Sequence, residues 1–242
     1  MNMETNYKAY DIDKSSERID AILNESNSSF EELDYIPLRS RLTYTNGFYV
    51  NVGSIFVDIR QSSELTGEHR RPKLAKLYRS YISEVVAILN SFIDCKEINI
   101  VGDSVSGVFE AQYKYQLDNL VSASAKINSL IKILNYKYSK KDIVNIKVGI
   151  GLAYGRVLMI KAGFSGSGIN EVVWMGDAVN RASNLCNEAG KSFTEPILID
   201  TVVYNNLNDH NKSLFKYNYN HSCYEGNIVD VEMEEWYKNN CR

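Results

Sequence analysis

The order in which apolar runs follow one another does most to limit what this chain can fold into. The run Val50 to Val57 (VNVGSIFV) is strand-like and ends at Asp58. Leu74, Leu77, Tyr78, Tyr81, Val85, Ile88, Leu89 and Phe92 then recur at helical spacing and predict a long amphipathic helix. Two short apolar runs follow, Ile98 to Val101 and Val105 to Phe109. The turn chemistry of Gly102-Asp103-Ser104 between them predicts a tight hairpin. A second helix carries Leu120, Ala123, Ile127, Leu130, Ile131 and Leu134 on one face. Next come a strand from Ile146 to Ala153, a turn at Tyr154-Gly155 and a strand from Val157 to Ala162.

Strand, helix, hairpin, helix, strand is the ferredoxin-like βαββαβ plan, so the fold class is α+β. The plan is extended by a strand from Glu171 to Trp174, a helix from Asp177 to Glu188 and a strand from Pro196 to Asp200. The tail from Thr201 is rich in Asn and Tyr, with a late strand expected at Ile228 to Val231. Residues 1–46 read as a polar lead-in with one short helix around Ile19 to Leu23 and no chemistry. Residues 47–242 read as one domain.

Composition narrows the function classes. The chain has 242 residues, 44% hydrophobic and 24% charged, which suits one soluble core. A net charge of −3 gives no reason to expect nucleic acid as a partner. No apolar run approaches the ~20 residues of a membrane helix, and the polar, acidic start is not a secretory signal. Cys95, Cys186, Cys223 and Cys241 show neither CxxC spacing nor clustering, so they read as reduced thiols of a cytoplasmic protein without membrane contact. His69, His210 and His221 lie at no zinc-ligand spacing.

In the βαββαβ plan the first strand and the hairpin are sheet neighbours, so Asp58 and Asp103 should approach each other at one sheet end. Paired carboxylates there suit Mg²⁺ that also binds triphosphate oxygens. Two such ions can activate one oxygen while stabilising another. Taken separately, each Asp is equally at home as turn chemistry.

Three segments add a resemblance. FVDIRQSSEL (Phe56 to Leu65) and INIVGDSVSGVFE (Ile98 to Glu110) resemble the two metal motifs of class III adenylate and guanylate cyclases. WMGDAVNRASNL (Trp174 to Leu185) resembles their ribose and transition-state helix, and all three stand in the family's order and spacing. The resemblance implies a cyclase catalytic domain over residues 47–242, with two divalent ions, Mn²⁺ or Mg²⁺, on Asp58, Asp103 and the Ile59 carbonyl. It implies in-line attack of a 3′-hydroxyl on the α-phosphorus, with pyrophosphate leaving. Backbone around Arg60, Ser62 and Ser63 would hold phosphates at a helix start. Asn180 matches the asparagine that orients the ribose. The family's transition-state arginine falls at Asn184, an amide that cannot replace a cation, so Arg181, Arg60 or Lys191 would have to compensate. The late phosphate lysine is missing too, since the stretch reads Tyr224-Glu225-Gly226. Sites between two head-to-tail subunits are implied, hence a homodimer in which Asp58 and Asp103 come from one copy and Asn180 from the other.

The base-reading positions are Asn99 and Val173, with Trp174 adjacent, and match neither the adenine nor the guanine pairing of the family. Val173 has no hydrogen-bonding group, whereas Asn99 can meet either O4 of uracil or the amine of cytosine. Trp174 would narrow the pocket against a two-ring base, unless it is plain core. The wording IFVDIRQSS looks most like the pyrimidine cyclases of bacterial antiphage systems. That resemblance implies UTP or CTP as substrate and a separate effector answering to the cyclic product. The rivals are an adenylate cyclase with an unusual base pocket and a cyclase-fold protein that binds nucleotide without turnover. A polymerase-type palm or a diguanylate cyclase shares the plan but has no place for GDAVNRAS.

Overall fold

The computed structural model describes residues 5–68, 71–165 and 169–241. Asp11 caps helix α1 (Ile12–Leu23), its carboxylate accepting from the backbone of Asp13 and Lys14. Strand β1 (Phe30–Leu33) then pairs in parallel with the start of β2 (Gly47–Ile59). Helices α2 (Ser62–Glu68) and α3 (Arg71–Asn90) lead to the ribbon of β3 (Cys95–Val101) and β4 (Ser104–Glu110). Helix α4 (Lys114–Ser139) returns the chain to β5 (Val148–Phe164), which pairs with β6 (Ile169–Gly176) before helix α5 (Asp177–Glu188). Strand β7 (Ile197–Ile199), helices α6 (Thr201–Asn206) and α7 (Asp209–Ser213), strands β8 (Lys216–Asn218) and β9 (Cys223–Gly226), and helix α8 (Val231–Asn240) complete it.

The sheet order β3-β4-β2-β5 is that of the βαββαβ plan, and β7, β9 and β8 extend it. Alternation along β2 sorts its two faces. Ile55, Val57 and Ile59 enter the main core with Leu77, Tyr81 and Val85 of α3 and with Leu120 and Ile127 of α4. Phe48, Val50 and Val52 face the other way, in a second cluster with Val108, Met159 and Trp174. The register with β4 and β5 runs unbroken from Val52 to Val57 and beyond. Ser54, Phe56 and Asp58 therefore share the face turned away from α3 and α4.

Three expectations need correction. Tyr154-Gly155 is not a turn, because β5 pairs with β2 straight through it. Gly155 lies under the start of α5, where a Cβ would make only ordinary contact with the Ala178 backbone N at 3.7 Å. Ile228 to Val231 is not a strand. The Ile228 side chain is buried and its carbonyl accepts from Asn128, while the Asp230 carboxylate accepts from Met233 N at 3.0 Å and caps α8. The lead-in helix begins at Ile12 rather than near Ile19. The lead-in also supplies a strand to the sheet, and Leu42 joins the second cluster.

Candidate active site

Asp58 is the penultimate residue of β2, paired with Gly149 of β5. On its other side Val57 pairs with Val105, bringing the β3–β4 turn to the same sheet end. Gly102 takes φ +64° in that turn, a left-handed conformation that a side chain resists, and Asp103 follows it. Burial raises the pKa of Asp58, and the neighbouring Asp103 charge raises it further, against the opposing pull of Arg60 and Lys191. Oδ2 of Asp103 is buried and accepts no hydrogen bond. The Arg60 N–H donates to Lys147 O at 2.8 Å, so the same trans peptide aims the Ile59 carbonyl away from β5. Two neighbouring carboxylates, one with an orphaned oxygen, and a carbonyl turned away from β5 are a donor set suited to a hard divalent cation. Among the described residues no three His, Cys, Asp or Glu side chains gather to hold an ion. Mg²⁺ commonly binds through one or two carboxylates plus substrate phosphates, so the pair fits this mode. His69 lies outside the described residues.

Helix α5 reaches this end because β5 carries glycines beneath it. A Cβ at Gly151 would lie 2.1 Å from Ala182 O, and one at Gly149 would lie 2.6 Å from Cys186 O. Gly176, at φ +146°, lets β6 turn into the helix. The helix thus lies on the Asp58 face, and a cavity of about 290 Å³ between them is lined by Phe56, Asp58, Arg60, Ser104, Asn184 and Asn187, among others. Asn180 lines a different cavity of about 560 Å³ with Tyr154, Asp177, Arg181 and Asp200, and Asn184 borders both. The largest described cavity, about 810 Å³ between α4, α8 and the start of β5, contains neither aspartate. Charge and donor type, not volume, locate the site.

The cations divide clearly. Arg60 Nη2 lies 3.0 Å from Asp58 Oδ2, and Lys191 acts on the same carboxylate from the loop after α5. Arg181, one of three cations expected to compensate for the missing arginine, lines the Asn180 cavity rather than that of Asp58. Its Nη2 donates to the carbonyls of His221 and Ser222, each at 3.2 Å, tying α5 to the β8–β9 turn. Glu225 is held by Asn218, Lys216 and the Glu195 N–H, so the late-lysine position is a structural acid. Ser62 and Ser63 open α2, after Gln61 at φ 56°, and Ser62 O accepts from Tyr78 OH at 3.4 Å.

Asn99 pairs with Ser106, which pairs with Phe56, so all three lie on the Asp58 face one row away from the carboxylates. Val173 and Trp174 lie on β6, with β4, β2 and β5 between them and the Asn99 strand in the sheet order. Trp174 is core, 9% exposed in the second cluster, and its indole N–H has no acceptor. Phe56, Ser104, Ser183 and Asn187 were missed as site residues. Even-number parity with Asp58 could have exposed Phe56, and helical spacing from Asn180 and Asn184 the other two on α5.

The profile of the adenylate and guanylate cyclase catalytic domain matches residues 44–224. The chain belongs to that family. This cyclase domain is 44% identical to a uridylate cyclase of Gulbenkiania mobilis, over 98% of the chain and 100% of that protein. It is 41% identical to a uridylate cyclase of Treponema porcinum, over 86% of the chain and 74% of that protein. Among solved structures, it matches a class III adenylyl cyclase-like ATP-binding protein from Pseudomonas aeruginosa with TM-score 0.71 and 15% identity, over 92% of the chain and 47% of the other. The adenylyl cyclase CyaB of P. aeruginosa matches with TM-score 0.61 and 21% identity, over 71% and 85%. At such identities these two structures speak for the fold alone. Among the described residues no helix of the cyclase domain is long and apolar enough to cross a membrane.

Proposed function

We propose that the chain is a homodimeric pyrimidine nucleotide cyclase, converting UTP, with CTP second, into the 3′,5′-cyclic monophosphate and pyrophosphate. The observation that carries this reading is the 44% identity to a uridylate cyclase along almost the whole chain. Asn99 supports it from the base side. It is half-buried on the Asp58 face, with a donor and an acceptor for a pyrimidine edge. A purine edge against Val173 would lose partners costing about 1–3 kcal/mol each.

Asp58, Asp103 and the Ile59 carbonyl would hold Mg²⁺ or Mn²⁺, which when bound lowers the pKa of the 3′-hydroxyl and neutralises phosphate charge. The chain's own groups do the positioning. Asn180 orients the ribose from the partner copy, in keeping with its place in a cavity separate from that of Asp58. The backbone at Ser62 and Ser63 receives the phosphates, and Arg60 and Lys191 supply the positive charge that Asn184 lacks. The cyclic product acts in the cytoplasm as a second messenger of antiphage defence through a separate effector, a role resting on the resemblance of the IFVDIRQSS segment.

Incubation of the purified protein with each of four labelled nucleoside triphosphates and Mn²⁺ tests the reading. Cyclic UMP should be the main product. More cyclic AMP than either pyrimidine product would replace it with an adenylate cyclase. The amide at Asn184 and the acid at Glu225 favour one rival, a nucleotide binder without turnover. Tight triphosphate binding with no cyclic product from any substrate would establish that rival.

A further inference from the structure

Arg60 is more deeply placed than the carboxylate it serves. Its side chain is 8% exposed against 36% for Asp58, although Arg is ordinarily a surface residue. The slot around it is built for it. Gly149 leaves the room, since a Cβ there would come 3.0 Å from the guanidinium carbon. Nη1 donates to Asn187 O at 2.8 Å, and Nη2 to Asp58 Oδ2 at 3.0 Å. The Nε–H is buried and has no acceptor. A buried guanidinium with one of its donors unpaired is incompletely satisfied by its present contacts.

We propose that Arg60 is a built-in counter-ion that competes with the divalent cation for Asp58. Metal binds weakly while the guanidinium stays on Oδ2, and a triphosphate that draws the guanidinium away, through its unpaired Nε–H, restores the affinity. This rests on the reading of Asp58 and Asp103 as the metal carboxylates. A guanidinium 3.0 Å from Oδ2 takes up part of that carboxylate's lone-pair capacity and repels a divalent cation bound to the same group, so it lowers the affinity for metal while it stays there. The consequence is a metal site that binds weakly without substrate and is relieved by a polyanion able to draw Arg60 away.

Mn²⁺ binding to the full chain without nucleotide, followed by electron paramagnetic resonance, tests this directly. Arg60→Met, which keeps an apolar stem in the slot, should bind Mn²⁺ about tenfold tighter than the unaltered chain, and Asp58→Asn should lose binding. Loss in Asp58→Asn with an unchanged affinity in Arg60→Met overturns this inference alone. Undiminished binding in Asp58→Asn overturns the metal reading and this inference with it. If Arg60→Met does not fold, the nitrogen-15 resonance of Arg60 Nε in the unaltered chain decides, assigned from its absence in Arg60→Lys. It should shift and lose protection from exchange as Mg²⁺ saturates. A signal that stays in place while Mg²⁺ binds overturns the proposal.

Discussion

The β3–β4 ribbon has an aspartate at each end, and the two are treated in opposite ways. Asp94, just before β3, is buried and accepts from Gln116 Nε2 at 2.8 Å and Asn119 Nδ2 at 2.7 Å, while its carbonyl accepts from Glu110 N at 2.8 Å. Asp103, in the turn at the far end, keeps a buried oxygen without a donor, and its charge raises the pKa of Asp58. One carboxylate is satisfied by the fold, and the other keeps a buried oxygen that no donor reaches among the described residues. The two ends of the ribbon thus differ in the supply of N–H donors: α4 brings amides to Asp94, and among the described residues none reaches the buried Oδ2 of Asp103.

The sharpest way to break this contrast is Asp103→Asn. Product formed from UTP with Mn²⁺ should fall about 10²–10³-fold, the scale of losing a group that stabilises transition-state charge. Thermal unfolding should stay near that of the unaltered chain, because no hydrogen bond to the orphaned oxygen is lost. A mixing experiment then asks whether the Asp58 and Asp103 carboxylates belong to a shared site. Asp58→Asn and Asn180→Ala should each be inactive alone. Equal mixtures, after subunit exchange, should recover about a quarter of the unaltered activity, since half the dimers would carry one intact site. No recovery would place Asn180 and Asp58 in one chain's site.

Asp94→Ala probes the satisfied end. Leaving the Gln116 and Asn119 amides without their acceptor should cost about 2–3 kcal/mol, read as a lowered melting temperature. Turnover per folded molecule should be kept. An inactive but fully folded Asp94→Ala protein would erase the distinction between the two ends. The smallest effect concerns Glu225, a second satisfied acid. Burial pulls its pKa up, but hydrogen bonds from Asn218 and the Glu195 backbone, and then Lys216, hold it below the ordinary 4.5. A lowered carboxyl stabilises the fold above its unfolded pKa and loses that contribution as pH falls through the folded value. The stability advantage over Glu225→Gln, at most about 1 kcal/mol and read as a higher melting temperature, should therefore be present near neutrality and vanish below the carboxylate range.

Where the sequence misled, a local signal had two structural uses. Tyr154-Gly155 has the composition of a turn, yet both residues pair with β2 and the strand runs on. Ile228 to Val231 is apolar enough for a strand, but Asp230 within it is a helix cap. Arg181 is one of three cations expected to compensate for the amide at Asn184, and its guanidinium also fastens the β8–β9 turn. Each depends on a partner remote in the chain, which short-range pattern does not contain.

The chain's own pattern determined the βαββαβ order, the helix from Asp177 to Glu188 and the placing of Asp58 and Asp103 at one sheet end. Periodicity, turn residues and the sheet neighbours that the plan dictates suffice for these. Only the tertiary structure decided which cation stands beside Asp58, which cavity Asn180 lines and that Trp174 packs in a core. Those depend on how closely α5 seats on the glycines of β5 and on which side chains that seating excludes, a matter of ångströms between segments far apart in sequence.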